Sequence, residues 1–300
     1  MKIIAIFAEA WRAMAMNGLR TALTMLGMVI GVAAVVLMLA VGQGAQYTVN
    51  QSIASMGSNL LIVLSGASTS GGLRFGSGSV PTLTVADAQA LAQIPSVKAV
   101  SPSYPGNAQM VYGSSNWSSI VTGSTPDYFT VRNWTLDSGH IFEESDVRGA
   151  TRVVVLGQTV AKNLFGEEDP TGKTIRIKNM PFLVVGLLAA KGQSLDGRDQ
   201  DDTAVVPVTT AQRKLFGNQF PGTVRYLMVQ AGSTETMDEA EREIAQLLRQ
   251  RHRLAEDAEN DFTVRNLTSV AQSAAGSAQA MSFMLGAIAS ISLLVAESVL

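Results

Sequence analysis

The sequence contains no cysteine among its 300 residues. This absence excludes disulfide bonds, thiol catalysis and thiolate-bound metals, and it is compatible with an oxidising compartment. Histidine is nearly absent too, since His140 and His252 are the only two and no repeated carboxylate spacing surrounds them. A histidine-rich metal site is therefore excluded, and we predict that both histidines lie at the surface.

Charged residues are also scarce. Only 15% of the residues are charged, and 22 Lys and Arg against 24 Asp and Glu give a net charge of -2 at pH 7. Phosphate binding needs basic side chains clustered on one face, so nucleic acid is excluded as a partner. Hydrophobic residues make up 47% of the chain, which favours an extramembrane domain joined to a few membrane spans.

A long run without charge extends from Thr21 to Val41. At ~1.5 Å of rise per residue, a helix of this length crosses a hydrocarbon core of about 30 Å, so we predict a transmembrane helix over 21–41. Lys2, Arg12 and Arg20 precede it and no charge follows until Arg74, so the N-terminus is expected in the cytoplasm. The run exceeds the ~7–15 apolar residues of a cleaved signal peptide.

Residues 1–18 are predicted to form a cytoplasmic amphipathic helix, because their apolar residues recur at helical spacing while the charges lie off that stripe. We place this helix in the membrane interface, with Trp11, Arg12 and Arg20 as anchors. The alternative is a plain cytoplasmic extension of the span. The Asn17-Gly18 pair offers a break where the chain turns into the bilayer.

Charge disappears again after residue 265, and we predict an extramembrane stalk over 266–280 and a second transmembrane helix over 281–300. Glu297 is the one charged residue of this span. Placing a carboxylate near a membrane interface costs much less free energy than placing it at mid-bilayer. Because Glu297 lies near the chain end, we predict that it lies at the interface; the alternative is a carboxylate that acts in a functional relay.

Small residues repeat at four-residue spacing in both predicted spans. Such spacing lets helix backbones approach closely, so we predict packing faces at these positions, although glycine is common in membrane helices generally. The predicted packing residues are Gly27, Gly31, Ser282, Gly286 and Ser290.

Residues 44–265 are predicted to form a large α+β domain between the two spans. Alternation and turn residues predict the strands, and a capping pair of Thr84 and Asp87 predicts a helix over 84–94. Residues 65–79 have the composition of a flexible linker. The remaining predicted elements are strands at 59–64, 97–112 (broken at Pro102 and Pro105), 117–123, 224–230 and 262–265, two strand-then-helix units after 149 and after 202, two strands at 171–179 and 181–192, and a helix at 234–253.

Two motifs imitate ligand sites. Residues 166–174, GEEDPTGKT, have five residues between the glycines where a phosphate-binding loop has four, place three acids where phosphates would lie, and lead into a strand. The acidic run 196–202 lacks the ligand pattern of a calcium-binding loop and is interpreted as a solvated loop. No Ser/His/Asp set is identifiable by spacing, so nothing in the sequence argues for an enzyme.

Three stretches resemble the MacB/FtsX class of ABC-transporter permeases. Residues 17–45, NGLRTALTMLGMVIGVAAVVLMLAVGQGA, resemble the first membrane helix of that class, and residues 152–192 and 201–217 resemble its periplasmic core domain. The resemblance implies an integral membrane α+β protein in which two transmembrane helices flank a periplasmic domain. That domain would comprise a porter-like α/β region at 59–131 and 224–265 and an inserted, strand-rich (sabre-like) region at about 132–223.

The resemblance also implies a function. It implies a multi-pass permease of the bacterial inner membrane that has no ATPase site of its own and through which the substrate does not cross the bilayer. In that class a cytoplasmic ATPase drives periplasmic movement, a process called mechanotransmission. The implied partners are that ATPase, which binds the ATP, a periplasmic adaptor, an outer-membrane channel, membrane lipids and a second copy of the chain. The expected cargo is drugs, peptides or siderophores. Lipoprotein release or control of cell-wall enzymes by the same class is the alternative.

The sequence departs from the class in two respects. Class members have four membrane helices, whereas this sequence stops at Leu300, so we expect a truncated permease without helices 3 and 4. No ATPase sequence precedes Met1, so a separate ATPase is expected rather than a fused one. A bitopic sensor with a periplasmic domain has the same two-span topology, and the absence of an output domain after Leu300 argues against it.

Overall fold

The computed structural model describes residue 16, residues 18–56, 59–66, 69–70, 73–74, 81–194, 197–217, 220–267, and ten positions between 269 and 287. The predicted helix over 1–18 and most of the predicted second span therefore lie outside the described residues. The chain divides into two compact units, Met1–Asn50 with Ala271–Leu300, and Gln51–Val270. The second unit corresponds to the predicted core domain.

Helix α1, Gly18–Met56, contains the first predicted span. Its stretch Met25–Gly44 has a mean hydropathy of 2.6 and none of it is buried. By length and composition, it is the one stretch among the described helices that could cross a membrane. The helix continues fifteen residues past the predicted end at Val41, and residues 42–56 contain no proline that would interrupt it.

The remaining elements follow in this order: β1 Leu60–Ser65, β2 Thr69–Ser70, β3 Leu73–Arg74, α2 Val85–Leu91, β4 Val97–Tyr112, β5 Ser115–Ser124, α3 Asp127–Val131, β6 Leu136–Gly139, α4 Glu144–Gly149, β7 Val153–Leu156, α5 Gln158–Phe165, β8 Thr174–Ile177, β9 Met180–Leu188, β10 Thr203–Pro207, α6 Val208–Thr210 with a π-helical turn Ala211–Leu215, β11 Tyr226–Ala231, α7 Met237–Arg251 and β12 Phe262–Asn266.

Four strands form an antiparallel sheet in the order β12-β1-β11-β4. The chain order β1-α2-β4 followed by β11-α7-β12 makes this a split β-α-β arrangement of the ferredoxin-like kind. Helices α2 and α7 contact each other, α2 contacts β4, and α7 contacts β12. The core of this region includes Leu61, Val63, Leu91, Val229, Ile244 and Leu248, each with 0% exposure.

Six strands, which include the second half of β4, close into a β-barrel that precedes β11 in the chain. The pairs β4-β5, β5-β10, β10-β7, β7-β9, β9-β8 and β8-β4 form a complete ring, in which β5-β10 and β7-β9 are parallel. Alternate residues fill the interior, as barrel closure requires. They include Met110, Val121, Val154, Leu156, Ile175, Ile177, Phe182, Val184, Ala204 and Val206.

Helix α5 covers one opening of the barrel. It contacts β4, β5, β9 and β10, and its buried residues belong to the barrel core. Those residues recur at helical spacing and are Val160, Ala161, Leu164 and Phe165. The amphipathic pattern that predicted a helix after the strand at 153 is therefore explained by burial of one face against the barrel.

Strand β4 belongs to both regions. Its residues 97–103 pair with β11, and its residues 104–112 pair with β5. The predicted breaks at Pro102 and Pro105 are wrong, because the strand has a partner on only one side at each proline, and a missing N–H is tolerated there. The sheet pairing thus crosses the predicted limit between 131 and 132, while the division into porter-like and inserted regions stays a prediction.

Other local predictions had mixed outcomes. The capping box of Thr84 and Asp87 is confirmed at the start of α2, and the strands predicted near 60, 97, 117 and 226 are present. Within the predicted flexible loop, Thr69 and Ser70 pair with Leu73 and Arg74, so that part of the prediction is wrong. Helices α3 and α4 and strand β6 were not predicted, because elements of four to six residues are too short to show a period.

Candidate functional site

Gly27 and Gly31 lie four residues apart in α1, inside the candidate span. A Cβ added at Gly27 would meet no atom of the described residues within 4 Å. Gly286 belongs to the described helical positions, whereas Ser282 and Ser290 lie outside them. Close packing of the two faces therefore stays a prediction.

The predicted interfacial anchors are described only in part. Arg20 lies in the first turn of α1, while Trp11 and Arg12 lie outside the described residues, as does Glu297. Anchoring at the membrane interface stays a prediction for all of them.

A groove of about 460 Å³ lies beside α5 on the outside of the barrel. Four carboxylates and one lysine line it, together with Ser138, Gln158, Ala161, Gly166, Pro170 and Leu187; the charged residues are Asp137, Glu167, Glu168, Asp169 and Lys162. Hydrogen bonds from the backbone and side chain of Thr171 lower the pKa of Asp169. The groove is therefore negatively charged at neutral pH.

The groove includes part of the stretch 166–174 that imitates a phosphate-binding loop. Lys173 forms an ion pair with Glu168, and the stretch leads into strand β8 rather than a helix. The lysine is thus engaged by an acid of its own loop, and the stretch is not followed by a helix whose N-terminus could receive a phosphate. The sequence argument against nucleotide binding agrees with this geometry.

A half-buried lysine lies where the loop after β9 returns to the barrel. Lys191 Nζ lies 4.6 Å from the centre of the Trp134 ring and donates to the Arg132 carbonyl. The backbone amides of Lys191 and Gly192 donate to the Asp201 carboxylate at 2.8 and 2.9 Å. Burial lowers the pKa of Lys191 to about 8, and the charge of Arg132 acts in the same direction.

A second charged cluster joins α2, the end of α7 and the start of β12. Arg251 Nε donates to Asp87 Oδ1 at 2.7 Å, and His252 Nδ1 lies 2.8 Å from Asp261 Oδ1. The His252 side chain is only 10% exposed, so the prediction of a surface position is wrong for His252, whereas His140 is exposed as predicted. No local pattern relates residue 87 to residue 252, since tertiary packing of α2 on α7 brings them together.

The carboxylate of Asp87 differs electrostatically from an ordinary surface acid. Burial alone would raise the pKa of Asp87, but the neighbouring His252 imidazole and the hydrogen bonds from Thr84 and Arg251 outweigh it and hold the pKa well below its usual range. Among the described residues, no group of His, Asp or Glu has the arrangement of a metal site. The cluster is thus an arrangement of ion pairs that connects three elements.

The family model described as the MacB-like periplasmic core domain matches residues 21–247 of this sequence. The chain belongs to the MacB-like periplasmic core domain family. The resemblance noted from residues 152–192 and 201–217 is therefore confirmed, and so is the expectation of a periplasmic domain with α+β content.

Curated relatives align with nearly the whole length of this MacB-like chain. A macrolide export ATP-binding/permease protein MacB from Rhodospirillum rubrum is 41% identical over 95% of this chain and 42% of its own length. A pyoverdine export ATP-binding/permease protein PvdT from Pseudomonas aeruginosa is 39% identical over 95% of this chain and 41% of its own length. The chain spans less than half the length of these relatives.

A solved structure supports the fold of the MacB-like domain. The periplasmic region of MacB from Actinobacillus actinomycetemcomitans has a TM-score of 0.60 to this chain at 23% identity, covering 75% of this chain and 96% of that one. At this identity the likeness shows the fold alone. It confirms the fold of the described domain.

Proposed function

We propose that the chain is the transmembrane permease part of an ABC-type exporter of the mechanotransmission class. The observation that carries this proposal is the extent of the match, which begins in the apolar helix and continues through the core domain. Relatives matched over 95% of this chain are named export permeases. Export is accordingly the activity that these relatives favour.

In this proposal, the chain transmits movement and performs no chemistry of its own. ATP hydrolysis by a cytoplasmic ATPase moves the membrane helices, and the segment after β12 passes the movement to the core domain. The names of the relatives include ATP binding, and in this proposal an ABC ATPase performs that step. The chain would need no cofactor of its own.

We further propose a multi-pass position in the bacterial inner membrane, with the N-terminus in the cytoplasm and the core domain in the periplasm. The positively charged flank before Thr21 supports this orientation. The proposed partners are the ATPase, a periplasmic adaptor, an outer-membrane channel, lipids and a second copy of the chain. The barrel strands within residues 132–223, which are β7, β8, β9 and β10, are the candidate for the inserted sabre-like region.

The proposed cargo is a drug, a peptide or a siderophore, since the relatives are named for macrolide and pyoverdine export. The test is a deletion strain complemented with the wild-type gene or with a Leu183→Ala control, which alters an exposed side chain of β9. Resistance to macrolides and peptides and the siderophore content of the medium are measured. Deletion should lower at least one of them, and both complementing genes should restore it.

The same strains distinguish the alternative cargo. If resistance and siderophore release are unchanged while lipoproteins accumulate in the inner membrane or septal hydrolysis fails, the permease serves lipoprotein release or cell-wall control instead. If none of these properties changes on deletion, the export proposal is contradicted.

A further inference from the structure

One imidazole lies between two carboxylates that come from different elements. His252 Nδ1 lies 2.8 and 2.9 Å from the two carboxylate oxygens of Asp261, the residue before β12. On its other side, His252 Nε2 lies 3.5 Å from Asp87 Oδ2 in α2. The ring of Phe262 meets the imidazole edge to face, with the centroids 6.0 Å apart.

Both acidic residues have further contacts of their own. Asp87 Oδ2 accepts from the Thr84 backbone amide at 2.9 Å and from the Thr84 hydroxyl at 2.7 Å. The carbonyl oxygen of Asp261 accepts from the Gly66 amide at 2.6 Å and from Thr82 Oγ1 at 2.8 Å. These contacts hold the carboxylate of Asp87 and the backbone of Asp261 in place.

The charge balance of the cluster depends on the histidine. Asp87 of α2 and Asp261 before β12 each carry one negative charge, and Arg251 of α7 supplies one positive charge, bound to Asp87. In the loop between α7 and Asp261, Arg249 donates to the carbonyls of Ala255, Glu256 and Ala258, while the side chains of Glu256, Asp257 and Glu259 are exposed. The cluster therefore has no net charge when His252 is protonated, and it carries one negative charge when His252 is neutral.

Hydrogen bonding also favours the protonated form of the His252 ring. His252 Nε2 is buried and has no hydrogen-bond partner within normal geometry among the described residues. A neutral ring that donates from Nδ1 to Asp261 would point the lone pair of Nε2 toward the Asp87 carboxylate. A protonated ring presents an N–H to each acid instead, which compensates for the burial of both charges.

We propose that His252 is a proton-operated clamp that ties the end of α7 and the start of β12 to α2. With the proton bound, the imidazolium bridges both acids and holds β12 at the sheet edge beside β1. When the proton is lost, the bridge to Asp87 becomes repulsive and this corner loosens. Since β12 leads into the predicted stalk at 266–280, the clamp makes the stiffness of that attachment depend on pH.

The direction of the pH effect follows from linkage. The carboxylate of Asp87 raises the pKa of His252, burial acts against the increase, and Asp261 adds to it. A group with a raised pKa contributes stability that is complete below its unfolded pKa, about 6.5 for histidine, and is lost as pH rises through the folded value. The clamp should accordingly be closed in mildly acidic solution and open in alkaline solution.

The test is hydrogen exchange of the full chain in detergent between pH 5.5 and 8.5, with each rate corrected for the intrinsic pH dependence of exchange. The backbone at the end of α7 and in β12 should open more often as pH rises. Between the pKa of His252 in the open form and its pKa in the closed form, opening should increase by up to about tenfold for each pH unit. Peptides from the barrel should not change. The His252→Gln variant should lose this pH dependence, and the His140→Gln variant should keep it.

A second measurement remains informative if His252→Gln fails to fold. Nuclear magnetic resonance of the full chain with labelled histidine follows both imidazoles, and His140→Gln assigns the His252 signal. Asp261→Asn should shift the His252 titration to lower pH. The proposal is overturned if that titration does not move, if corrected exchange at β12 is independent of pH, or if exchange changes equally across the whole domain.

Discussion

Gly66 lies directly against the backbone of Asp261. Its amide nitrogen donates to the Asp261 carbonyl oxygen at 2.6 Å, and a Cβ added at Gly66 would lie 2.4 Å from the Asp261 carbonyl carbon. This contact joins the chain just after β1 to the chain just before β12. A side chain at Gly66 would therefore force the first and last strands of the core domain apart at this end.

The Gly66→Ala variant should lower the free energy of unfolding by about 1–3 kcal/mol, because the added methyl group overpacks a rigid backbone contact. Urea unfolding of the full chain in detergent measures this change. Gly149→Ala is the matched control, since its added Cβ meets only Thr151 Cγ2, at 3.5 Å. Equal stability of the two variants would show that the close approach at Gly66 is not retained in solution.

Phe182 fills the barrel, and its neighbour on β9, Leu183, points outward. Phe182 is 0% exposed and Leu183 is 43% exposed. Phe182→Ala should cost about 3–5 kcal/mol of unfolding free energy because it leaves a cavity in the barrel core. Leu183→Ala should cost less than about 1 kcal/mol. Thermal unfolding compares the two, and a similar loss for both would contradict the closed, filled barrel.

The pH dependence of stability should reveal the burial of Lys191. Burial lowers the pKa of this lysine from 10.5 to about 8, so between these values the unfolded chain binds more protons than the folded one, and stability rises with pH. Lys191→Met removes this contribution. The stability of the variant relative to the wild type should therefore fall as pH rises from 8 to 10, and a constant difference would mean that Lys191 is not buried.

Much of the core domain could be predicted from the sequence because the signals were local. The Thr84 and Asp87 cap and the strand-then-helix unit at β7 and α5 are each encoded within a short window. Closure of the barrel could not be predicted, because β4 meets β8 only across a wide sequence separation. His252 was missed for the same reason, since its burial depends on α2.

The packing face of α1 is tested by replacing Gly27 and Gly31 together with leucine. Because leucine prevents close approach of helix backbones, the double variant should lose its assembly with a partner helix. Crosslinking in membranes and the export assay both measure this loss. Val29→Leu is the control, since Val29 lies between the glycines on a different face of the same helix and is 64% exposed. Unchanged assembly in the double variant would leave α1 as a simple anchor.

Co-purification with an ABC ATPase tests the central claim most directly. The full-length protein containing this chain is expressed with the ATPase encoded beside its gene and isolated in detergent. The account predicts a stable complex whose ATP hydrolysis changes hydrogen exchange in the core domain, as expected if membrane-helix movement reaches that domain. A full-length protein that binds no ATPase, or hydrolysis that leaves exchange in the core domain unchanged, would contradict it.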